Sequence, residues 1–400
     1  MRRARSSPVR ARMAWAVAIT TLGTASFAGM PSWAAASEQP VTLPALRNVP
    51  ADAAPCAKAS GRRAEDAPWT LSALDLSRAW QVTRGAGVTV AVVDTGVGTD
   101  IPALAGRVSS LGGAGSDCAG HGSFAAGLIA AAPVEGSGMV GVAPQASVLA
   151  VRGTDGRGVA SADLVAAGIR AAVDGGADVI YVGEALLTGR TELTAAVSYA
   201  TRRDVLVVAP AAPDTAPVSA DNGSPDPTAR PYFPAFLPQV LSVSDFGPDG
   251  TRPDKAPQPF APDLAAPGDA VVSTGPSGSG HYIGSGSSLA AAQVAGAAAL
   301  VRARYPHMTA AQVTRQLQAT AYPAEPARLD PFAAVSAILP ARRQTAKEDP
   351  PARIVPSAPA ATRQRALAVA GGCVVLILLI AGAAVVIPRG RARRWRAAQR

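Results

Sequence analysis

Asparagine is nearly missing from this chain: 400 residues contain two, Asn48 and Asn222. Histidine and cysteine occur three times each. No His-Glu-x-x-His is present and the histidines and cysteines do not cluster, so a metal-dependent hydrolase finds little support. Acidic residues are absent from both ends, 1–36 and 366–400. Five arginines lie in 1–12 and six in 389–400, and without these eleven the remaining 26 basic residues face 28 acidic ones. The formal charge of +9 therefore sits at the termini, where it reads as targeting and topology signal. A nucleic-acid-binding reading loses its main support.

What is present begins with an export signal. Arg2, Arg3, Arg5, Arg10 and Arg12 precede an apolar core, Met13 to Ala28, and small residues at Ala34 and Ala36 offer a cleavage site. Residues 37–68 are rich in Pro and Ala and read as an extended arm. The arm carries Cys56. Cys373 lies in a C-terminal apolar run, which leaves Cys56 and Cys118 as the one plausible disulfide in an oxidising compartment, with two free thiols as the alternative.

The stretch Gly284 to Gly296 opens with Gly and Ser and runs into an Ala/Val/Leu segment. That pattern predicts a tight loop feeding a buried helix, with Ser288 near the positive end of its dipole. An ordinary glycine-rich loop before a core helix gives the same pattern. Val88 to Val93 is a continuous apolar, β-branched run, as in a parallel strand buried on both faces, and Asp94 ends it. A carboxylate at that end of a strand lies where open α/β sheets place their sites. His121 opens a second small-residue helix between Gly120 and Gly122. Of the other histidines, His307 reads as a surface turn and His281 as an exposed loop residue.

Asp94 in V-V-D-T-G-V, His121 in G-H-G-S-F-A-A-G and Ser288 in G-S-S-L-A-A-A-Q-V-A-G, in that order, resemble the three signature blocks of subtilisin-like serine proteases. The resemblance covers roughly 70–322 and includes Gly141-Val142-Ala143-Pro144 and Ala266-Pro267-Gly268. It is closer still to mycosins, the membrane-anchored subtilisin-like proteases of type VII secretion systems, in the signal, the arm with Cys56, the cysteine before His121 and the C-terminal apolar segment. The resemblance implies an α/β fold: a three-layer α/β/α domain with a largely parallel sheet. Ser288 is then the nucleophile, His121 the base and Asp94 its orienting partner, with the Ser288 backbone N–H as an oxyanion donor. No cofactor and no metal are implied.

Two departures stand out. The family carries an oxyanion-hole Asn in an A-A-G-N block after a strand. Here the strand Asp204 to Val208 is read as leading to Pro213 at that place, and proline offers no donor. Asn222 is the remaining candidate, though its Asn-Gly pair favours a turn. Losing that donor costs about 10²–10³ in rate, so a slow enzyme is expected. The second departure is Ile180 to Ala185, the substrate-edge block, where Glu184 either favours a basic substrate residue or, as the reading preferred, is simply solvated. A calcium site at Asp214, Asp221 and Asp226 is weaker than a plain turn reading.

A Pro-rich linker follows, and Ala366 to Ile387 is an uncharged run of 22 residues, about 33 Å as a helix, enough to cross a bilayer. The arginines after it belong in the cytoplasm. The expected organisation is a signal peptide (1–36), arm (37–68), peptidase domain (69–339), linker (340–365), transmembrane helix (366–387) and basic cytoplasmic tail (388–400). The expected function is an extracytoplasmic, single-pass serine endopeptidase of the cell membrane that acts on protein or peptide substrates with a type VII secretion complex. The competing reading is a weakly active or inactive protease-fold scaffold within such a complex.

Overall fold

The computed structural model describes residues 41–47, 55–219, 223–339 and 360–393. The predicted signal peptide, Asn48, Asn222, Asp221 and linker residues 340–359 lie outside the described residues; residues 360–365, read as linker, are helical instead. Residues 1–337 and 338–400 form two separate units.

In the first unit, seven parallel strands make one sheet in the order β2-β3-β1-β4-β5-β6-β7. They are β1 Thr89–Asp94, β2 Val108–Ser110, β3 Ser147–Arg152, β4 Val179–Val182, β5 Leu206–Pro210, β6 Val240–Phe246 and β7 Leu264–Pro267. A short antiparallel pair, β8 Val271–Thr274 and β9 His281–Gly284, stands apart from it. The helices are α1 Trp69–Ala73, α2 Leu76–Val82, α3 His121–Ala130, α4 Ala162–Asp174, α5 Arg190–Arg202, α6 Ser287–Arg304, α7 Ala310–Ala319 and α8 Pro331–Ser336, with α9 Ala360–Ala392 in the second unit. Leu74, Leu76, Ala79 and Trp80 give Leu71 to Trp80 the spacing of one helix, but the structure has two, because Asp75 takes a left-handed conformation between them.

Side chains on β1 explain the layers. Val90 and Val92 join the core beneath α3 and α6, while Ala91 and Val93 join a second core beneath α4 and α5. The period of two thus sends neighbours to opposite faces, and an unbroken apolar run is what a strand covered on both sides requires. Each fully buried Val contributes about 1.5–3 kcal/mol relative to an exposed one.

Helix α6 is buried from Ser287 to Val301, and its Ala and Gly residues let it lie close to β4, β5, β6 and α3. A Cβ at Gly296 would fall 2.7 Å from that of Val142, so a side chain there has no room. The strand order reverses at β1, which has β3 on one side and β4 on the other. Open α/β sheets bind their ligands at such a reversal, outside the C-terminal ends of the strands.

Candidate active site

Three elements converge at that edge. Asp94 is the last residue of β1, His121 the first of α3, and Ser288 the second of α6. They are 0%, 4% and 1% exposed. His121 Nδ1 lies 2.8 Å from Asp94 Oδ2 and 3.0 Å from Oδ1. Its Nε2 lies 3.0 Å from Ser288 Oγ. The Thr95 N–H donates to Asp94 Oδ1 at 2.6 Å and fixes the carboxylate.

Glycines make this approach possible. A Cβ on Gly183 would fall 1.8 Å from Asp94 Oδ2, and one on Gly122 would fall 2.1 Å from the Gly96 carbonyl oxygen. Asp117 binds the histidine helix to the strand end. Its Oδ1 accepts from the Gly120 N–H and the Thr95 hydroxyl, and its Oδ2 accepts from the Ser123 N–H. The Thr95 hydroxyl oxygen in turn accepts from the Gly122 N–H. The Gly120, Gly122 and Ser123 N–H groups at the start of α3 are thereby satisfied.

A fourth side chain enters the site. Asp214 Oδ1 accepts from the Ser288 N–H at 2.9 Å. Its Oδ2 stands 2.5 Å from Ser288 Oγ and 3.2 Å from His121 Nε2. This corrects the placement of Pro213. Strand β5 runs to Pro210, two residues beyond the predicted end, so Ala211-Ala212-Pro213-Asp214 fills the A-A-G-N block and Asp214 stands at the Asn position. Matching that block letter by letter locates Asp214; reading it from an early strand end does not. Asn222 lies outside the described residues, and the side chain against the Ser288 N–H is that of Asp214. Asp226, the third residue of the weighed calcium set, pairs with Arg230.

Two further expectations change. Glu184 is half-buried rather than solvated, and burial followed by the charge of Asp94 pushes its carboxyl up to about 7. His281 is buried rather than exposed: its Nδ1 accepts from the Ala64 N–H at 2.8 Å and its Nε2 lies 3.2 Å from the Ser137 hydroxyl. It holds the N-terminal arm. Burial disfavours the His121 imidazolium, yet the charge of Asp94 and the hydrogen bond Nε2 can donate to Asp214 outweigh burial and hold the imidazole well above its ordinary range.

Cys56 and Cys118 are bonded, with Cα atoms 4.5 Å apart, three residues before His121. Around that bond the arm runs along the domain. The Ala57 N–H donates to the Cys118 carbonyl, the Leu46 N–H to that of Ile283, and the His281 N–H to that of Arg62.

This fold with this arrangement is that of a subtilisin-like serine protease. The subtilase family, Peptidase S8, matches residues 85–350, and the chain belongs to that family. Among curated relatives, mycosin-4 of Mycobacterium tuberculosis is 33% identical over 84% of this chain and 85% of its own. Thermitase of Thermoactinomyces vulgaris is 35% identical over 56% of this chain and 78% of its own. Among solved structures, MycP1 from the ESX-1 type VII secretion system matches with a TM-score of 0.62 and 28% identity, covering 76% of this chain and 95% of that one. A chain of the intact ESX-5 inner membrane complex matches with a TM-score of 0.62 and 26% identity, covering 88% of this chain and 97% of that one.

Proposed function

We propose that this chain is a serine endopeptidase anchored in the cell membrane and working with a type VII secretion complex. The observation that carries the reading is the continuous set of contacts from Asp94 through His121 to Ser288 Oγ. Ser288 Oγ attacks the substrate carbonyl and His121 Nε2 takes its proton. Asp94 holds the ring in the tautomer with Nδ1 protonated and stabilises the imidazolium. The acyl bond forms as the carbonyl π pair moves to oxygen. On collapse the C–N bond breaks and Nε2 returns the proton to the leaving amine. Water then repeats the cycle on the acyl-enzyme.

The secretion context rests on likeness to mycosins and to a chain of the ESX-5 inner membrane complex. An export signal before the domain and an apolar run followed by arginines after it support a peptidase outside the membrane. One observation favours the scaffold reading instead: a carboxylate stands against the Ser288 N–H, where an oxyanion would bind. The test is cleavage of a peptide pool by the full chain in detergent beside Ser288→Ala. Cuts present only with the intact serine support the protease. No cuts, with secretion dependent on the chain and indifferent to Ser288→Ala, support the scaffold.

A further inference from the structure

Asp214 is built into the site rather than draped over it. A Cβ at position 286 would fall 2.0 Å from its Oδ1, so Gly286 is what admits the carboxyl. Both oxygens are engaged by reacting groups: Oδ1 by the Ser288 N–H, Oδ2 by Ser288 Oγ and His121 Nε2. An oxyanion formed at a carbonyl attacked by Ser288 Oγ must lie within reach of that same N–H. Ionised, Asp214 has acceptors only and would face the new negative charge. Protonated, it has one O–H donor in nearly the shape of a carboxamide.

Other carboxyls crowd the site. Asp94 faces the cluster from β1, Glu184 from the segment after β4, His121 from α3 and Ser288 from α6. Tyr181 on β4 brings a buried hydroxyl with no hydrogen-bond partner among the described residues. On the far side a cavity of about 240 Å³ is lined by Asp214, Asp245, Arg252, Lys255, Asp269 and Gly286, among others. Arg252 is committed there to Asp245, at 3.0 Å through Nε and 2.7 Å through Nη2. No Lys or Arg pairs with Asp94, Asp214 or Glu184 among the described residues. Three carboxyls thus bear on one imidazole, and groups so coupled exchange protons as a set.

We propose that Asp214, in its protonated form, is the second oxyanion-hole donor, and that the proton it uses is shared with His121. The inference rests on the protease reading above. In the resting tautomer the proton is on His121 Nε2, directed at Asp214 Oδ2, and the imidazolium cannot act as a base. In the working tautomer the proton has moved across the 3.2 Å gap to Oδ2. His121 is then neutral and accepts from the Ser288 hydroxyl. For attack the Asp214 carboxyl turns so that Oδ1 gives up the Ser288 N–H; the serine proton passes to Nε2, and the substrate oxygen, now an anion, accepts from the Ser288 N–H and the Asp214 O–H. Collapse restores the carbonyl and sends the Nε2 proton to the amine, so Asp214 ends as it began. The position of His121 well above its ordinary range agrees with a resting imidazolium.

The test compares the full chain in detergent with Asp214→Asn and Asp214→Ala, by peptide kcat/KM and by fluorophosphonate labelling, from roughly pH 5 to 9. Asp214→Asn carries a donor that needs no proton. Its kcat/KM should exceed wild type by about 10²–10³ at the alkaline end, with the gap closing as pH falls. Its acid limb, which reports His121, should move to lower pH because a hydrogen-bonded carboxylate is gone. Asp214→Ala has neither charge nor donor and should stay below Asp214→Asn by a similar factor. An Asp214→Asn no faster than wild type at any pH, with Ser288 still labelled, overturns the proton-sharing role and leaves the protease standing. Absence of labelling in both wild type and Asp214→Asn sinks both readings. A measurement independent of turnover is the ¹⁵N NMR titration of His121. Its midpoint should fall in Asp214→Asn, and an unchanged midpoint contradicts a shared proton.

Discussion

Gly286 and Glu184 show how much a single position sets here. Alanine at 286 would drive its Cβ into the Asp214 carboxyl and push against the start of α6. Gly286→Ala should therefore lower peptide kcat/KM by at least about 10²-fold, the scale expected when a reacting group is misplaced by about an ångström. Glu184 bears on stability. Its carboxyl lies at about 7 in the fold against an ordinary 4.5, so the folded chain holds that proton more tightly than the unfolded one. Stability from this group is complete below about pH 4.5 and is lost as pH rises towards 7. Glu184→Gln should raise the melting temperature near pH 8 and leave it nearly unchanged near pH 4.5. The gain is roughly 2 kcal/mol, less than the full linkage value because the side chain is only half-buried. Asp94, His121 and Ser288 were legible because each ends or starts a regular element beside glycines. Asp214 was not, because its place depends on where β5 stops. Nor was Glu184, whose burial comes from elements distant in sequence.

Elements carry the next layer of the account. Strand β1 and helix α6 could be read from their apolar runs, since burial on both faces leaves no alternation to confuse. The break between α1 and α2 could not, because spacing shows a helical face and not a left-handed residue within it. The arm is the element most open to test. It is joined to the loop before α3 by Cys56–Cys118, across 62 residues of sequence, and by backbone hydrogen bonds to the β9 region. Breaking that link with Cys56→Ser and Cys118→Ser should cost about 2–4 kcal/mol. The loss should appear as a lower thermal midpoint, and reductant should have no further effect on the double variant. Because the cystine sits beside the His121 helix, labelling of Ser288 should also slow.

For the molecule as a whole, the second unit decides where the chemistry happens. Helix α9 contains a stretch from Gln364 to Ala392 long and apolar enough to cross a membrane, and its side chains are exposed. By length and composition it is the candidate membrane span among the described residues. The proposed orientation, peptidase outside, predicts that an impermeant thiol reagent added to intact cells labels Ser336→Cys, which is exposed, and misses Arg393→Cys until the cells are opened. The reverse pattern would contradict the orientation. The candidate span was visible in the uncharged run, but its helix begins at Ala360, within the stretch read as linker.

The most direct test of the central claim is the intact mass of the full chain after treatment with a fluorophosphonate. A Ser288 Oγ activated by His121 and Asp94 predicts one adduct, mapped to Ser288, lost in Ser288→Ala and strongly slowed in His121→Ala. No adduct, or one that persists in Ser288→Ala, would contradict it.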